Sequence, residues 1–221
     1  MNAEVHHIRV VKRARYYTLG EAANANDVWI VCHGYGQLAG KFIQNFESIV
    51  QPGRFIVAPE GLHRFYLDPP PAPAAQRRVG ATWMTREDRE EDIADYVDYL
   101  DLLISEVMAQ SPTARLRVLG FSQGSATVLR WVVTATRVPH QLILWAGEVP
   151  QDVDWKMGAR KLADTRIDAV RGDSDELTPQ RSLERNLGVL SGVGLRYQLH
   201  NFSGGHHLDG DLLQKLAEDA G

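Results

Sequence analysis

The sequence predicts an α/β fold: a mostly parallel central sheet with helices on both faces and an N-terminal β-hairpin at one edge. Three observations lead there. Short, largely apolar runs such as Val28–Cys32, Arg54–Ala58 and Leu142–Ala146 have the character of strands covered on both faces. They alternate with longer segments whose apolar residues recur at helical spacing, the pattern of a parallel sheet with right-handed crossovers. Two of the strand-like runs also break off into glycine-rich turns directly before a helical pattern, at His33-Gly34-Tyr35-Gly36 and at Gly120-Phe121-Ser122-Gln123-Gly124.

Bulk properties narrow the class. The 221 residues suit one buried core, and the intervals between strands leave no room for a separate cap domain, so residues 1–221 read as a single domain. A net charge of −4 draws the chain neither to nucleic acid nor to an anionic membrane. No apolar run reaches the length of a membrane span, and the N-terminus does not read as a signal peptide, so no stable membrane insertion is expected. Cys32 is the single cysteine, which suits a reducing compartment; a cytoplasmic location is expected.

Taken in order, Val5–Val11 alternates and is β-branched, and Tyr16–Leu19 follows the basic turn Lys12-Arg13 as its hairpin partner. His6 and His7 are neighbours, hence on opposite faces of such a strand, and cannot chelate one ion. In Val28–Cys32, the cysteine reads as a small buried hydrophobe. Phe42, Phe46 and Ile49 mark the next helix, and Arg54–Ala58 the next strand. From Leu62 to Met84 there is no clear period, and Pro69, Pro70, Pro71 and Pro73 exclude helix or central strand. A loop of this length is expected to cover part of a functional site, with His63, Phe65, Tyr66 and Trp83 as pocket candidates.

Thr85 and Asp88 resemble a capping box ahead of a long helix whose apolar face is Ile93, Tyr96, Val97, Leu100, Leu103, Ile104 and Val107. Strand Leu116–Leu119 and helix Ala126–Val133 flank the second glycine-rich turn. Leu142–Ala146 and Ile167–Val170 are strands, Arg181–Leu190 a helix, Leu195–Phe202 a strand, and Leu208–Ala217 a terminal helix.

The chemistry gathers at the strand ends. A strand that turns into a helix within one residue projects that residue above the sheet, so G-x-S-x-G places Ser122 as a nucleophile. Serine needs an imidazole to take its proton, and the imidazole needs a carboxylate to fix its tautomer. Two later strand ends open into Asp173-Ser174-Asp175-Glu176 and His206-His207. From these residues alone, either aspartate and either histidine could serve. The first glycine-rich turn matches neither phosphate-binding pattern and reads instead as a source of oxyanion-binding N–H groups.

These motifs, together with Gly172-Asp173-Ser174-Asp175-Glu176-Leu177-Thr178-Pro179 and Gly204-Gly205-His206, resemble the small α/β-hydrolase serine esterases. The nearest branch is the phospholipase/carboxylesterase, or acyl-protein-thioesterase-like, group. The resemblance implies a triad of Ser122, Asp175 and His206, with the N–H groups of Tyr35 and Gln123 as oxyanion donors. It implies hydrolysis of carboxylic esters or thioesters through an acyl-enzyme, with no metal and no organic cofactor. Trp83, Leu177 and Leu208, with Tyr35, are expected to line an open groove for short to medium acyl chains. The expected partners are a small-molecule ester or thioester and, at most, a second copy in a homodimer. This chain departs from the group in a shorter turn after His33-Gly34-Tyr35-Gly36, in Arg171 where the group usually has histidine, and in the proline-rich segment 69–73. Two other readings are a dienelactone-hydrolase-like lactonase, a group that usually carries cysteine at the position of Ser122, and a non-catalytic binding protein on the same fold.

Overall fold

In the computed structural model, which describes residues 3–71 and 73–218, the apolar runs assemble into one seven-stranded sheet. Its strands are β1 (Tyr16–Leu19), β2 (Asp27–Cys32) and β3 (Arg54–Pro59), then, after a separate ribbon of β4 (His63–Tyr66) and β5 (Val79–Thr82), β6 (Arg115–Phe121), β7 (Gln141–Trp145), β8 (Arg166–Gly172) and β9 (Gln198–Phe202). The order across the sheet is β1-β3-β2-β6-β7-β8-β9. Only β1 runs antiparallel, against β3; all other neighbours in this sheet are parallel. The helices are α1 (Ala39–Phe42), which tightens into a 3-10 stretch over Ile43–Ile49, α2 (Arg89–Gln110), α3 (Gln123–Thr134), α4 (Trp155–Lys161), α5 (Gln180–Gly192) and α6 (Gly210–Glu218).

The uninterrupted hydrophobicity of β2 follows from a core on each side. Val28, Ile30 and Cys32 join the cluster formed with α2, α3 and α5, while Trp29 and Val31 join the one formed with α1 and α6. Burial also pushes the Cys32 thiol up, keeping it protonated and inert. At the amino ends of the strands the core turns polar. Arg117 donates to Asp27 at 3.2 Å and to Gln141 at 2.6 Å; Gln141 donates to Asp168 at 2.7 Å, and the His200 ring meets Asp168 at 2.8 Å. This chain of polar contacts ties five strands together at the end away from the functional loops. Among the described residues no helix is long and apolar enough to cross a membrane.

Several expectations need correction. Val5–Val11 is not a strand, and no N-terminal hairpin forms; β1 pairs with β3 instead. The alternation is present, but Val5, Ile8, Val10 and Val11 all face solvent and have no surface to bury against. The segment 62–84 is not a plain loop: His63 faces Thr82 and Phe65 faces Gly80 in an antiparallel ribbon, whose prolines are confined to the connection between its strands. Ala72, within that connection, lies outside the described residues. The Thr85–Asp88 capping box does not form, because α2 begins at Arg89 and Asp88 itself occupies the cap in a left-handed conformation. Helix α4 was not anticipated; it is seven residues long, too short for periodicity to declare it, and is started by Asp154 accepting from the Met157 N–H.

Trp83 lies in the core rather than in a groove. It is fully buried, stacks on His33 with ring centres 5.1 Å apart, and its indole N–H donates to the His33 carbonyl at 2.9 Å. His33 is equally buried. Its Nδ1–H donates to the Gly34 carbonyl at 2.8 Å, and its Nε2 accepts from the Gly61 N–H at 3.0 Å. Burial lowers its pKa, so the ring is neutral in the folded chain.

Two outcomes follow. Trp83→Ala should cost about 3–5 kcal/mol in urea unfolding, the range for deleting a buried aromatic; a cost below about 1 kcal/mol would contradict this packing. For His33 the folded pKa lies below the unfolded value near 6.5, so the unfolded chain binds the extra proton. The stability contribution is fully present above about pH 6.5 and declines below it, by at most about 1.4 kcal/mol per pH unit. His33→Gln should remove that part of the acid dependence, read as a shallower fall of Tm between about pH 6.5 and 5 than in the wild type.

Candidate active site

In a parallel sheet the loops that follow the strands emerge on one side, and the candidate residues lie there. Tyr35 follows β2, Ser122 follows β6, Asp175 follows β8 and His206 follows β9. The junction of β6 and α3 is the tightest of these turns. Ser122 alone separates strand from helix, with φ 54° and ψ −119°, a strained conformation for a side-chain-bearing residue. Its N–H donates to the Trp145 carbonyl at 2.8 Å. The glycines on either side permit the turn: a Cβ on Gly120 would lie 2.3 Å from the Gly124 carbonyl oxygen, and one on Gly124 would lie 2.2 Å from that of Cys32.

The acid and the histidine come from neighbouring loops held as one unit. Asp175 is buried, and its Oδ1 accepts from the N–H groups of Leu177 and Thr178, both at 2.9 Å. That leaves Oδ2 for the His206 ring, whose Nδ1 lies 2.9 Å away. With Nδ1–H donating to the carboxylate, Nε2 is left as the basic nitrogen. The His206 ring also stacks on Phe121, the residue before Ser122, with centres 5.0 Å apart. Asp173 does a different job. It is exposed, accepts from the Gly204 N–H at 3.0 Å, and this contact with the histidine loop holds its carboxyl below the ordinary range. His207 is exposed and meets the Phe202 ring edge-on, while its carbonyl accepts from the Trp145 indole. Of the two candidate pairs, the structure thus joins Asp175 to His206.

The turn after β2 lies beside Ser122: a Cβ placed on Gly34 would sit 3.1 Å from that of Ser122. The Gly34 carbonyl is held by His33, and in a trans peptide this directs the Tyr35 N–H the opposite way. Neither the Tyr35 nor the Gln123 N–H donates to any partner among the described residues. The Gln123 side chain, by contrast, is fully engaged. Its amide donates to Thr82 Oγ1 and the Met84 carbonyl, both at 3.0 Å, and its carbonyl accepts from the Trp83 N–H at 3.2 Å. The ribbon is bound to the β2 turn as well, through Gly36 N–H to the Ala81 carbonyl at 2.8 Å and Ala81 N–H to the Gln37 carbonyl at 3.1 Å. Sequence reasoning named Gln123 only for its backbone; nothing in the spacing announced its side chain as the clamp on β5.

At the rim, Tyr35 is 59% exposed and stacks on Phe65 with ring centres 5.1 Å apart. Leu177 is 75% exposed. Leu208 is half-buried and packs against the core on the α6 side. Of the other pocket candidates, His63 pairs with Asp92 at 3.0 Å and Tyr66 lies under Arg77, so both belong to the ribbon's outer contacts. Arg171, at the departure from the related pattern, closes the acid loop by donating to the Thr178 carbonyl at 2.9 Å and to Gln180 at 3.0 Å.

Among solved structures the chain is similar to the carboxylesterase from Mesorhizobium loti (18% identity, TM-score 0.71, 93% of this chain and 95% of that one). It is similar to Zea mays acyl-protein thioesterase 2 (16% identity, TM-score 0.70, covering 93% and 97%). It is also similar to esterase PE8 (21% identity, TM-score 0.66, covering 93% and 97%). No curated protein sequence matches the chain. The phospholipase/carboxylesterase family model matches residues 19–219, nearly the whole chain, and the seven-stranded sheet has the α/β-hydrolase form. The chain therefore belongs to the phospholipase/carboxylesterase family of α/β-hydrolases.

Proposed function

We propose that the chain is a serine hydrolase that cleaves carboxylic esters or thioesters of short to medium acyl chains through an acyl-enzyme. The observation that carries this reading is the pairing of His206 Nδ1 with a buried Asp175 at 2.9 Å, on the same side of the sheet as the strained Ser122 turn. His206 Nε2 takes the Ser122 proton as Oγ attacks the ester carbonyl, and Asp175 stabilises the imidazolium that forms. The free N–H groups of Tyr35 and Gln123 receive the developing oxyanion. His206 then protonates the departing alcohol or thiol, and water repeats the sequence to release the acid.

The apolar side chains exposed on this face support a modest acyl chain. Each buried CH₂ adds about 0.8 kcal/mol until the apolar surface is used up. With Trp83 in the core, that surface is reduced to the Tyr35–Phe65 pair and Leu177.

A fluorophosphonate should label one serine per chain, and Ser122→Ala should abolish labelling and lower kcat by about 10⁴–10⁶-fold. Labelling that survives the substitution would overturn the nucleophile. His206→Ala should be comparably damaging and Asp175→Asn should cost about 10⁴-fold, while His207→Ala stays within a few-fold. A larger loss for His207→Ala than for His206→Ala would reassign the base.

Across p-nitrophenyl esters, kcat/KM should peak in the short to medium range and shift to shorter chains in Leu177→Ala. A maximum at about C12 or beyond would show an apolar surface larger than these side chains supply.

A further inference from the structure

The amino-terminal segment has the make-up of a strand without the pairing of one. Residues 3–15 form neither helix nor strand, and among the described residues no backbone N–H or C=O between 3 and 14 takes part in a hydrogen bond. Its β-branched side chains Val5, Ile8, Val10 and Val11 are 77–102% exposed. The segment is nevertheless anchored. The His7 ring meets the Asp88 carboxylate at 2.9 Å, Lys12 donates to the Leu62 carbonyl at 2.5 Å, and Arg15 pairs with Glu60 at 2.7 Å. Glu4 and His6, two residues apart, lie 3.6 Å from each other, as same-side neighbours on an extended chain do.

We propose that Glu4–Lys12 pairs antiparallel with the same segment of a second copy, about a two-fold axis at Ile8. A lipid surface would cover the apolar side chains but leave the backbone groups unpaired, whereas a second strand satisfies both. The sequence selects the register. With Ile8 opposite Ile8, Val5 faces Val11, His6 faces Val10, and Glu4 faces Lys12 at both ends of the ribbon. One face then carries the two isoleucines flanked by His6–Val10 pairs and closed by two ion pairs, and the other carries the Val5–Val11 pairs outside two His7–Arg9 pairs, whose His7 rings are held by Asp88. Shifting the sum of paired positions down by one sets Glu4 against Val11. Shifting it up by one sets Ile8 against Arg9 and Val5 against Lys12. Lys12 has hydrogen-bond donors to spare beyond the one used on Leu62. Such an interface is isologous and closes at two subunits. A lone two-stranded ribbon is marginal, so a dissociation constant on the order of 1–100 μM is expected.

Oxidative cross-linking of the full chain reads the register. The only native thiol, Cys32, is buried, so Ile8→Cys introduces the one accessible sulfur. Residues opposite each other lie about 4.5–5.5 Å apart between Cα atoms, within disulfide reach. Ile8→Cys should therefore give a covalent dimer in high yield. Arg9→Cys should not, since its copies would stand about 8 Å apart. By sedimentation velocity, Glu4→Lys and Lys12→Glu should each weaken the dimer about tenfold or more, and the double reversal should restore it to within a few-fold. These side chains are exposed, and unchanged circular dichroism checks that each variant is folded. A chain that stays monomeric at about 100 μM, a dimer indifferent to the charge reversals, or cross-linking at position 9 but not at 8 each overturns the proposal.

Discussion

The face that carries the candidate site depends on one close approach of two backbones. The start of α3 lies against the end of β2, where a Cβ on Gly124 would fall 2.2 Å from the Cys32 carbonyl oxygen. That contact brings the residue after the Ser122 turn next to the residue before the His33-Gly34 turn. The turns that bear the Tyr35 and Gln123 N–H groups, from distant parts of the chain, are thereby neighbours. Any side chain at position 124 would push the helix from the sheet and separate them. The strain at Ser122 is the local cost of this arrangement, and the buried strands on either side hold it in place.

Around that contact, the other parts are bound in pairs rather than singly. The acid loop and the histidine loop share Asp173–Gly204 and Asp175–His206 contacts, so the imidazole and its carboxylate form one unit. The turn after β2 and the ribbon share two backbone hydrogen bonds, and the Gln123 side chain fastens the ribbon to α3. His33 completes the set. A neutral, fully buried ring bridges the Gly34 carbonyl and the Gly61 N–H and so fixes the peptide that bears the Tyr35 donor.

Much of this was legible in the sequence because the features are local. A strand covered on both faces must be apolar throughout, and β2, β3 and β7 were readable for that reason. The G-x-S-x-G turn declares itself because only glycine fits beside the strained serine. What escaped notice depended on long-range partners. Val5–Val11 alternates like a strand, yet alternation states a capacity for pairing and not the presence of a neighbour. Trp83 lies within the segment read as a cover for the site, but its indole N–H finds the His33 carbonyl and the ring turns into the core. The choice of Asp175 over Asp173 comes from the family resemblance and not from the residues alone, because two acidic residues in one turn look alike until the loop buries one of them against the imidazole.

The ribbon separates two kinds of change. Its base, at Ala81 and Thr82, is tied into the turn after β2 and Gln123, while its far end is closed by its own ion pair between Asp68 and Arg78 at 2.7 Å. Between those two levels little can change, since a Cβ on Gly80 would fall 2.4 Å from the Gly36 carbonyl oxygen, but residues beyond the ion pair can be lengthened, shortened or exchanged without touching these bonds. For anyone remodelling this enzyme, the connection from Pro69 to Arg77 is therefore the natural graft point. New substrate contacts introduced there arrive on a scaffold whose chemistry is already set.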